Sequence, residues 1–489
     1  MRHRPTLTLI AAGLFLLAPA SRSFAQPSPL DAVLDGSAGD AVLRSRLHAF
    51  ADSVAASDPA LASEAQSIAG QSLARRGEVD SAVACYERAM GLDPREPRRV
   101  ELATALLARL GPGDAERARD VLRPVQPITP QLPDPSQAAT QGLFAWAQFL
   151  SGQPDSAMRL IAPVDSWLTA HQEWRYRLAC VSFERKEWIR VQLLLTPLGV
   201  ASRTYDGDVM DMLLRSADEL NSKRRLEPML ITEIQKRDRI EQEWIDGIGG
   251  RRVGFRAADG FPLGGTVLKP RRPAHPRGAV VLMAAGDTIA VYDSLAAGLR
   301  DLGLAVMLLE PRGSGHSVAP SCPLPSAWRG REAALQDAVA GDVAAAASAL
   351  ARETGSDSTQ YLLVGIGDAS PSAVLAARKD RRVRVMMLVS PTASPSDRGM
   401  LRAAVASWKR PIYFQTGPED IPSQPFIETL YEATDMRASR VADSDRPGTR
   451  TKIFRRDPRI MARFKQWLSE SWPRPAAPRP TPPKPPHKG

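Results

Sequence analysis

The sequence predicts a protein of two parts, an all-α N-terminal part and an α/β C-terminal part. A chain of 489 residues is too long for one ordinary core, because domains usually hold about 100–200 residues. From residue 41 to about 225, apolar residues recur with helical spacing and no strand-like alternation interrupts them. From residue 251 onward, short apolar runs alternate with helical stretches. This alternation predicts a doubly wound, mostly parallel sheet with helices on both faces.

The first 25 residues have the pattern of a secretory signal peptide. Arg2 and Arg4 precede an apolar run from residue 9 to 20, and Ser23-Phe24-Ala25 is a small-x-small cleavage pattern. A membrane-spanning helix needs roughly 20 apolar residues, which neither this run nor any later segment provides. We therefore expect an extracytoplasmic protein, periplasmic or secreted, with no integral membrane segment after signal cleavage. A retained signal anchor is the alternative.

Composition argues against several classes of function. The net charge is +10, but basic and acidic residues are mixed along the chain, so a nucleic-acid partner is not expected. Cys85, Cys180 and Cys322 lack the spacing of a metal site, a redox pair or a disulfide framework. We expect no cofactor and no metal ion. Residues 473–489 are rich in proline and predict a disordered, extended tail.

The segment from Ser63 to Pro97 is typical of a packed pair of helices. Gly70 and Ala82 are small where the two helices would cross, and Tyr86 would fill the face toward the next pair. Asp93-Pro94 would end the second helix. In these residues the segment resembles a tetratricopeptide repeat. Weaker matches follow within residues 102–124, 144–163 and 178–197.

One such repeat cannot bury its apolar face alone, so the resemblance implies an array of stacked helix pairs over residues 41–225. Arrays of this family usually offer a concave surface, which implies a protein or peptide partner. Two alternatives stay open: the array only covers the second domain, or it mediates dimerisation. A charged run from Glu233 to Trp244, followed by glycines, predicts a linker helix over residues 226–250.

The C-terminal part, residues 251–472, opens with a predicted β-hairpin whose arms flank the turn Asp259-Gly260. Further apolar runs typical of buried strands lie at residues 279–283, 304–309, 361–364, 383–388 and 411–414. Helical stretches lie at residues 292–302, 333–352, 372–377 and 460–468. Strands and helices therefore alternate throughout this part of the chain.

The segment Glu310-Pro311-Arg312-Gly313-Ser314-Gly315-His316-Ser317 resembles the D-x-R-G-x-G-x-S loop of α/β-hydrolases. With the hairpin and the terminal helix, it implies an α/β-hydrolase-like domain. This family places its nucleophile on a tight strand-to-helix turn, usually G-x-S-x-G. The matching segment starts at Gly365 and puts Gly367 at the nucleophile position. Glycine has no nucleophilic atom.

The other family positions are also altered. The resemblance matches Asp420 to the acid, although a turn former or helix cap is the alternative. The loop that would supply the histidine runs from residue 444 to 450 and has none, and Pro447 stands at that position. Asp287 would put negative charge beside a developing oxyanion. Acyl transfer needs both a nucleophile and an imidazole, so we expect a non-catalytic domain.

Two functions are compatible with this pattern. The first is an exported binding or scaffold protein with a helical adaptor, a non-catalytic hydrolase-like domain and a small-molecule ligand in its pocket. The alternative is an active serine hydrolase, esterase- or peptidase-like, that uses Ser370 or Ser390 as nucleophile and His316 as base. Its geometry is unattractive, because Ser370 falls in the helix after the turn and His316 in a loop after an earlier strand.

Overall fold

The computed structural model describes residues 29–34, 40–123, 135–273, 275–322, 332–393, 398–420, 423–434 and 437–472. The expected signal peptide and the expected proline-rich tail lie outside these ranges. Within them, the N-terminal half is helical and the C-terminal half combines strands and helices, as the sequence predicts. None of the helices in the described ranges combines the length and the apolar character that crossing a bilayer requires.

The described N-terminal half contains thirteen α-helices: α1 (Pro29–Leu34), α2 (Asp40–Val54), α3 (Pro59–Arg75), α4 (Val79–Leu92), α5 (Glu96–Arg109), α6 (Asp114–Leu122), α7 (Pro135–Leu150), α8 (Pro154–Ile161), α9 (Asp165–Ala170), α10 (Gln172–Glu184), α11 (Trp188–Ala201), α12 (Gly207–Glu219) and α13 (Lys223–Gly247). Neighbouring helices pack together, and their apolar faces share one core that includes Leu47, Leu106 and Leu195. The predicted linker helix is α13, which starts three residues earlier than expected. Membership of the tetratricopeptide family stays a prediction.

Helices α3 and α4 approach closely at Gly70. A β-carbon there would lie 3.1 Å from the ring of Tyr86 and 3.2 Å from Cβ of Cys85. The Oγ of Ser63, on α3, donates a hydrogen bond to the Ala89 carbonyl at 2.8 Å. The small residue therefore stands at the helix crossing, where the sequence pattern places it.

The described residues of the C-terminal half form an eight-stranded sheet: β1 (Gly250–Arg256), β2 (Pro262–Leu268), β3 (Arg277–Leu282), β4 (Leu304–Leu309), β5 (Tyr361–Ile366), β6 (Val383–Val389), β7 (Ile412–Thr416) and β8 (Arg440–Asp443). The strand order is β1-β2-β4-β3-β5-β6-β7-β8. Strand β2 is antiparallel to β1 and β4, and the other neighbours are parallel. The predicted mostly parallel sheet is confirmed, whereas β8 was not predicted.

Helices cover both faces of this sheet: α14 (Asp293–Asp301), α15 (Glu332–Thr354), α16 (Ser370–Lys379), α17 (Arg398–Trp408), α18 (Gln424–Glu432), α19 (Lys452–Arg456) and α20 (Arg459–Ser471). Alternate residues of β3 point to opposite faces. Val280 belongs to the core cluster on one face, and Val281 to the cluster on the other. Burial on both faces explains why the central strands are continuous apolar runs.

The loop after β4 is fixed by a buried arginine. The guanidinium of Arg312 pairs with Asp342 of α15 at 2.6 Å and with Asp259 of the β1–β2 turn at 2.7 Å. It also lies 4.3 Å from the ring centroid of Phe261. Two sequence features that carry the family resemblance, the hairpin turn and the Arg312 loop, are therefore joined by a structural ion pair.

The helical array packs on the α/β domain. Helix α3 contacts α15, α1 contacts α17, and α13 contacts β1. Arg203, between α11 and α12, donates to the carbonyl of Gly315 and pairs with Asp238 of α13 at 3.1 Å. The array therefore covers part of the α/β domain, next to the loop that follows β4.

Candidate functional site

The turn between β5 and α16 has a left-handed backbone at Gly367. Strand β5 ends at Ile366 in an extended conformation, and the φ of Gly367 is +53°. A 3-10 turn over Gly367–Ala369 then leads into α16. Non-glycine residues are strained at such a φ, and strained turns of this kind expose the nucleophile of α/β-hydrolases. Here a glycine occupies the strained position and offers no reactive atom.

The guanidinium of Arg450 fills the space over this turn. A β-carbon on Gly367 would lie 2.5 Å from both Nε and Nη2 of Arg450. The Nη2 of Arg450 pairs with Oδ2 of Asp368 at 2.9 Å, and Asp368 also accepts a hydrogen bond from the hydroxyl of Thr392. A serine at position 367 would therefore have to displace the paired guanidinium of Arg450.

The predicted acid, Asp420, is buried and ties three loops together. Its Oδ2 accepts hydrogen bonds from Oγ of Ser390, from the N–H of Gly417 at 3.2 Å and from the N–H of Arg450 at 3.4 Å. These donors belong to the loops that follow β6, β7 and β8. Asp420 thus lies beside the Gly367 turn, where it holds a serine and two backbone amides instead of an imidazole.

The other predicted site residues lie apart from one another. Pro447 is exposed, and its carbonyl accepts a hydrogen bond from Arg456 at 2.9 Å. Ser370 begins α16, and its buried Oγ has no hydrogen-bond partner among the described residues. His316 lies against Glu241 of α13 and Arg252 of β1, and its ring also contacts Arg203, between α11 and α12. Within the described ranges, no hydrogen bond joins Ser370 to His316.

His316 belongs to a charge cluster between α13 and the α/β domain. Its Nε2 lies 3.6 Å from Asp238 and 3.5 Å from Glu241. Among the described residues, these three form a group whose possible ligand atoms lie close enough together to hold a metal ion. The Nη2 of Arg203 lies 2.9 Å from the same ring nitrogen, and Arg252 also contacts it. Guanidinium groups carry positive charge and have no acceptor atom, so this cluster fits ion pairing and not a metal ion.

Glu241 is the central anion of this cluster. Burial works to raise its pKa, but the neighbouring His316, 3.5 Å away, and the charge of Arg237 outweigh burial and lower the pKa to about 2. Its carboxylate pairs with Arg237 and with Arg252, each at 3.1 Å. Because α13 carries Glu241 and β1 carries Arg252, the pair joins the linker helix to the sheet.

The loop after β3 is also occupied by internal contacts. The Oη of Tyr292 donates to Asp287 at 2.7 Å and accepts a hydrogen bond from the N–H of Ala284 at 2.8 Å. Burial, together with the adjacent Asp287 carboxylate, raises the pKa of Tyr292. The N–H of Gly286 donates to Oγ of Ser314 at 3.2 Å. Two amides of the loop that would face an oxyanion therefore already have hydroxyl partners.

A cleft of about 600 Å³, here called the turn cleft, lies between this altered turn and the helical array. The α/β domain contributes Asp287, Asp368 and Arg450 to its lining. The array contributes His171 and Arg175, and α13 contributes Arg237. The turn cleft is thus closed on one side by helices that are distant in sequence.

The turn cleft is lined by three guanidinium groups and by the two carboxylates of Asp287 and Asp368. One of the three, Arg237, also pairs with Glu241 at 3.1 Å. Both carboxylates already accept hydrogen bonds, from Tyr292 and from Arg450 respectively. The Nε of Arg175 donates to the Thr169 carbonyl at 2.8 Å, and Arg175 has no carboxylate partner within the described ranges. These features fit the binding of an anion.

Sequence reasoning missed the cationic residues of this cleft. Arg450 is the last residue of the segment 444–450, in which the family resemblance calls for a histidine that the sequence lacks. An arginine in that segment was the one signal that could have indicated a cationic site. His171 and Arg175 had no such signal, because they belong to a segment that precedes the α/β domain by many residues. Their position depends on how the array packs, which local patterns do not encode.

No protein-family model matches this chain, and no curated protein matches it. Among solved structures, DcsB in complex with a substrate analogue is similar with a TM-score of 0.38 and 11% identity, over 45% of this chain and 99% of that one. The esterase domain of a Rhodothermus marinus protein has a TM-score of 0.35 and 13% identity, over 45% of this chain and 98% of that one. Dienelactone hydrolase from Anabaena variabilis has a TM-score of 0.34 and 17% identity, over 46% of this chain and 96% of that one.

These likenesses are distant. The C-terminal half has an α/β-hydrolase-like fold on its own features: an antiparallel hairpin, parallel central strands and a left-handed turn after β5. Activity does not follow from this fold, because one fold hosts many functions.

Proposed function

We propose that this protein is a binding protein whose α/β-hydrolase-like domain is non-catalytic and holds an anion in the turn cleft. The observation that carries the proposal is the guanidinium of Arg450 over Gly367. Acyl transfer needs a nucleophile and a general base, whereas this turn has a glycine and an arginine. A guanidinium cannot act as a base near neutral pH, but its planar fork of donors suits carboxylates and phosphates.

Two guanidinium groups of the turn cleft, Arg450 and Arg175, support an anionic ligand. The ion pair between Arg450 and Asp368 is weak, because three quarters of the Asp368 side chain is exposed (74%) and water screens the pair. A ligand anion can therefore share the Arg450 guanidinium at little cost. Arg175, on the opposite wall, offers donors that no described carboxylate uses.

The absence of hydrolysis is tested with the purified mature protein. It is incubated with a fluorophosphonate probe and, separately, with p-nitrophenyl butyrate, beside the variants Ser370→Ala and Ser390→Ala. We expect neither labelling nor turnover in any sample. Labelling that Ser370→Ala or Ser390→Ala abolishes would overturn the proposal and establish the serine hydrolase alternative.

Anion binding is tested by calorimetric titration with butyrate and with inorganic phosphate, and with uncharged butyramide as the matched ligand. We expect binding of at least one anion and none of the amide. Arg450→Gln and Arg175→Gln should each weaken binding about tenfold, the scale of one lost charged hydrogen bond. Arg384→Gln is the control, because Arg384 is an exposed residue of β6 outside the turn cleft. Equal binding of amide and anion would contradict the assignment.

We further propose that the protein acts outside the cytoplasm and that its helical array also serves as an adaptor for a protein or peptide. The support for export is the arginine, apolar and small-residue pattern of residues 1–25. Sequencing of the N-terminus after expression in a Gram-negative host tests it. A new N-terminus at Gln26 in the periplasm or medium is expected, and an intact N-terminus in the cytoplasm would contradict export.

A further inference from the structure

A second depression, here called the apolar groove, adjoins the turn cleft. It has a volume of about 300 Å³, and most of its lining surface is apolar, with Ile240, Trp244 and Ile289 among the contributing residues. The charged residues of α13 that also line it are Glu233, Lys236, Arg237 and Glu241. Ile240 and Trp244 are one helical turn apart on α13, and 45% and 44% of their surfaces are exposed. Large apolar side chains that adjoin on an exposed helix face are typical of binding surfaces.

The apolar groove and the turn cleft meet along a shared boundary. Arg237 lines both of them. On α11, Ala201 lines the cleft and Val200 lines the groove. In the loop after β3, Asp287 lines the cleft, and the next residue, Thr288, lines the groove. The two depressions therefore form one trough with a cationic end and an apolar end.

We propose that this trough binds a single-chain fatty acid, with its carboxylate among Arg450, Arg175 and Arg237 and its alkyl chain along Ile240 and Trp244. The inference rests on the proposed function for its head-group site, and it adds the chemical class of the ligand. Arg450 pairs with Asp368 and Arg237 with Glu241, whereas Arg175 has no carboxylate partner within the described ranges. A single guanidinium without such a partner matches a monoanion better than a phosphate dianion.

The apolar groove adds affinity by burying the alkyl chain of the ligand, which a small anion does not have. Removing a methylene from water contributes a nearly constant amount to binding, so each added methylene should tighten binding about two- to fourfold while the groove still has room. Arg237 stands where head and chain would join, and its aliphatic stem and charged end suit both parts.

The test is a calorimetric series on the purified mature protein with butyrate, hexanoate, octanoate and decanoate, and with decanol as the uncharged match. We expect affinity to rise steadily with chain length and decanol to bind at least tenfold more weakly than decanoate. Trp244→Ser should weaken decanoate about tenfold and leave butyrate unchanged. Ile231→Ser is the control, because Ile231 is equally exposed on α13 (47%) but lies outside the groove.

The outcomes separate this inference from the proposed function. If butyrate and decanoate bind equally, the anion site stands and the fatty-acid assignment is overturned. If decanoate binds as well to Arg450→Gln as to the wild-type protein, the head-group placement is overturned. If neither acid binds, both proposals fail. Concentration-dependent dimerisation that Trp244→Ser abolishes would assign the groove to a second copy of the chain and overturn the inference.

Discussion

The guanidinium of Arg450 lies where a side chain at Gly367 would have to point, with Nε and Nη2 2.5 Å from the position of a β-carbon. The N–H of Arg450 donates to Oγ of Ser390 at 3.1 Å and to Asp420 at 3.4 Å. The carboxylate of Asp420 therefore fixes the backbone of Arg450. The turn after β5 combines a left-handed backbone at Gly367 with a positively charged group directly over it.

Installing a serine at the turn should not restore catalysis. In Gly367→Ser, the new side chain adopts a strained φ of +53° and meets the Arg450 guanidinium, and no imidazole replaces the missing base. We expect a loss of about 1–3 kcal/mol in the free energy of unfolding, measured by urea denaturation, and no ester hydrolysis. Gly91→Ser is the control, because a β-carbon at Gly91 meets no atom within 4 Å.

The double variant Gly367→Ser with Arg450→Ala separates strain from steric overlap. Removing the guanidinium relieves the overlap but leaves the strained φ. The losses in the free energy of unfolding of the two single variants should therefore sum to more than the loss of the double variant. A coupling of about 0.5 kcal/mol or more is expected, since the residues are in contact. Strict additivity would mean that Arg450 swings away from Gly367 at no cost.

Asp420 should act as a structural anchor of the three loops. Asp420→Asn keeps an acceptor oxygen of the same shape and should lose about 1 kcal/mol in the free energy of unfolding. Asp420→Ala leaves the donors of Ser390, Gly417 and Arg450 without this acceptor and should lose about 3 kcal/mol. Urea denaturation measures both. Asp443→Asn and Asp443→Ala, on the exposed edge strand β8, serve as controls. If Asp420→Ala had the same free energy of unfolding as the wild-type protein, Asp420 would not stabilise the three loops.

The parts of the fold that were predictable are those whose residues are buried on both faces. Strand β4, Leu304–Leu309, is a continuous apolar run, and its observed ends match the predicted ones. Strand β8, Arg440–Asp443, is an edge strand in which Ala442 is the buried residue. It leaves no apolar run, and therefore no signal in the sequence. Its place in the sheet is set by pairing with β7.

The candidate site was predictable only where it is local. Gly367 follows from the spacing of small residues after a buried strand, and its left-handed φ agrees with that pattern. Asp420 follows in the same way from the end of β7. Arg450 belongs to the candidate site because its guanidinium lies beside Gly367. Arg175 belongs to it because the array packs over the α/β domain. Both are tertiary relationships between segments that are far apart along the chain.

The close approach of α3 and α4 should make Gly70 intolerant of large side chains. Gly70→Leu would push against Tyr86 and Cys85, whose atoms already lie 3.1 and 3.2 Å from a β-carbon position. We expect a loss of about 1–3 kcal/mol, the usual cost of overpacking, measured as a lower urea midpoint. Gly91→Leu, on the exposed side of α4, should be neutral or slightly stabilising. A stable Gly70→Leu would contradict the observed helix crossing.

Glu241 should make the stability of the junction between α13 and the sheet depend on pH. Its pKa is lowered from 4.5 to about 2 in the folded protein, against the effect of burial, by the neighbouring His316 and the charge of Arg237. The ionised form is therefore favoured by folding. Its contribution to stability is complete above pH 4.5 and is lost as the pH falls toward about 2.

Glu241→Gln should therefore be less stable than the wild-type protein at pH 7, by about 3 kcal/mol, and the difference should close as the pH falls from 4.5 to 2. The substitution keeps the size of the side chain but removes the charge that pairs with Arg237 and Arg252. Urea midpoints at pH 7, 4.5 and 2.5 measure the effect. Glu243→Gln, exposed on the same helix, should follow the wild-type curve. A constant difference between Glu241→Gln and wild type at all three pH values would show that the carboxylate charge does not hold this junction.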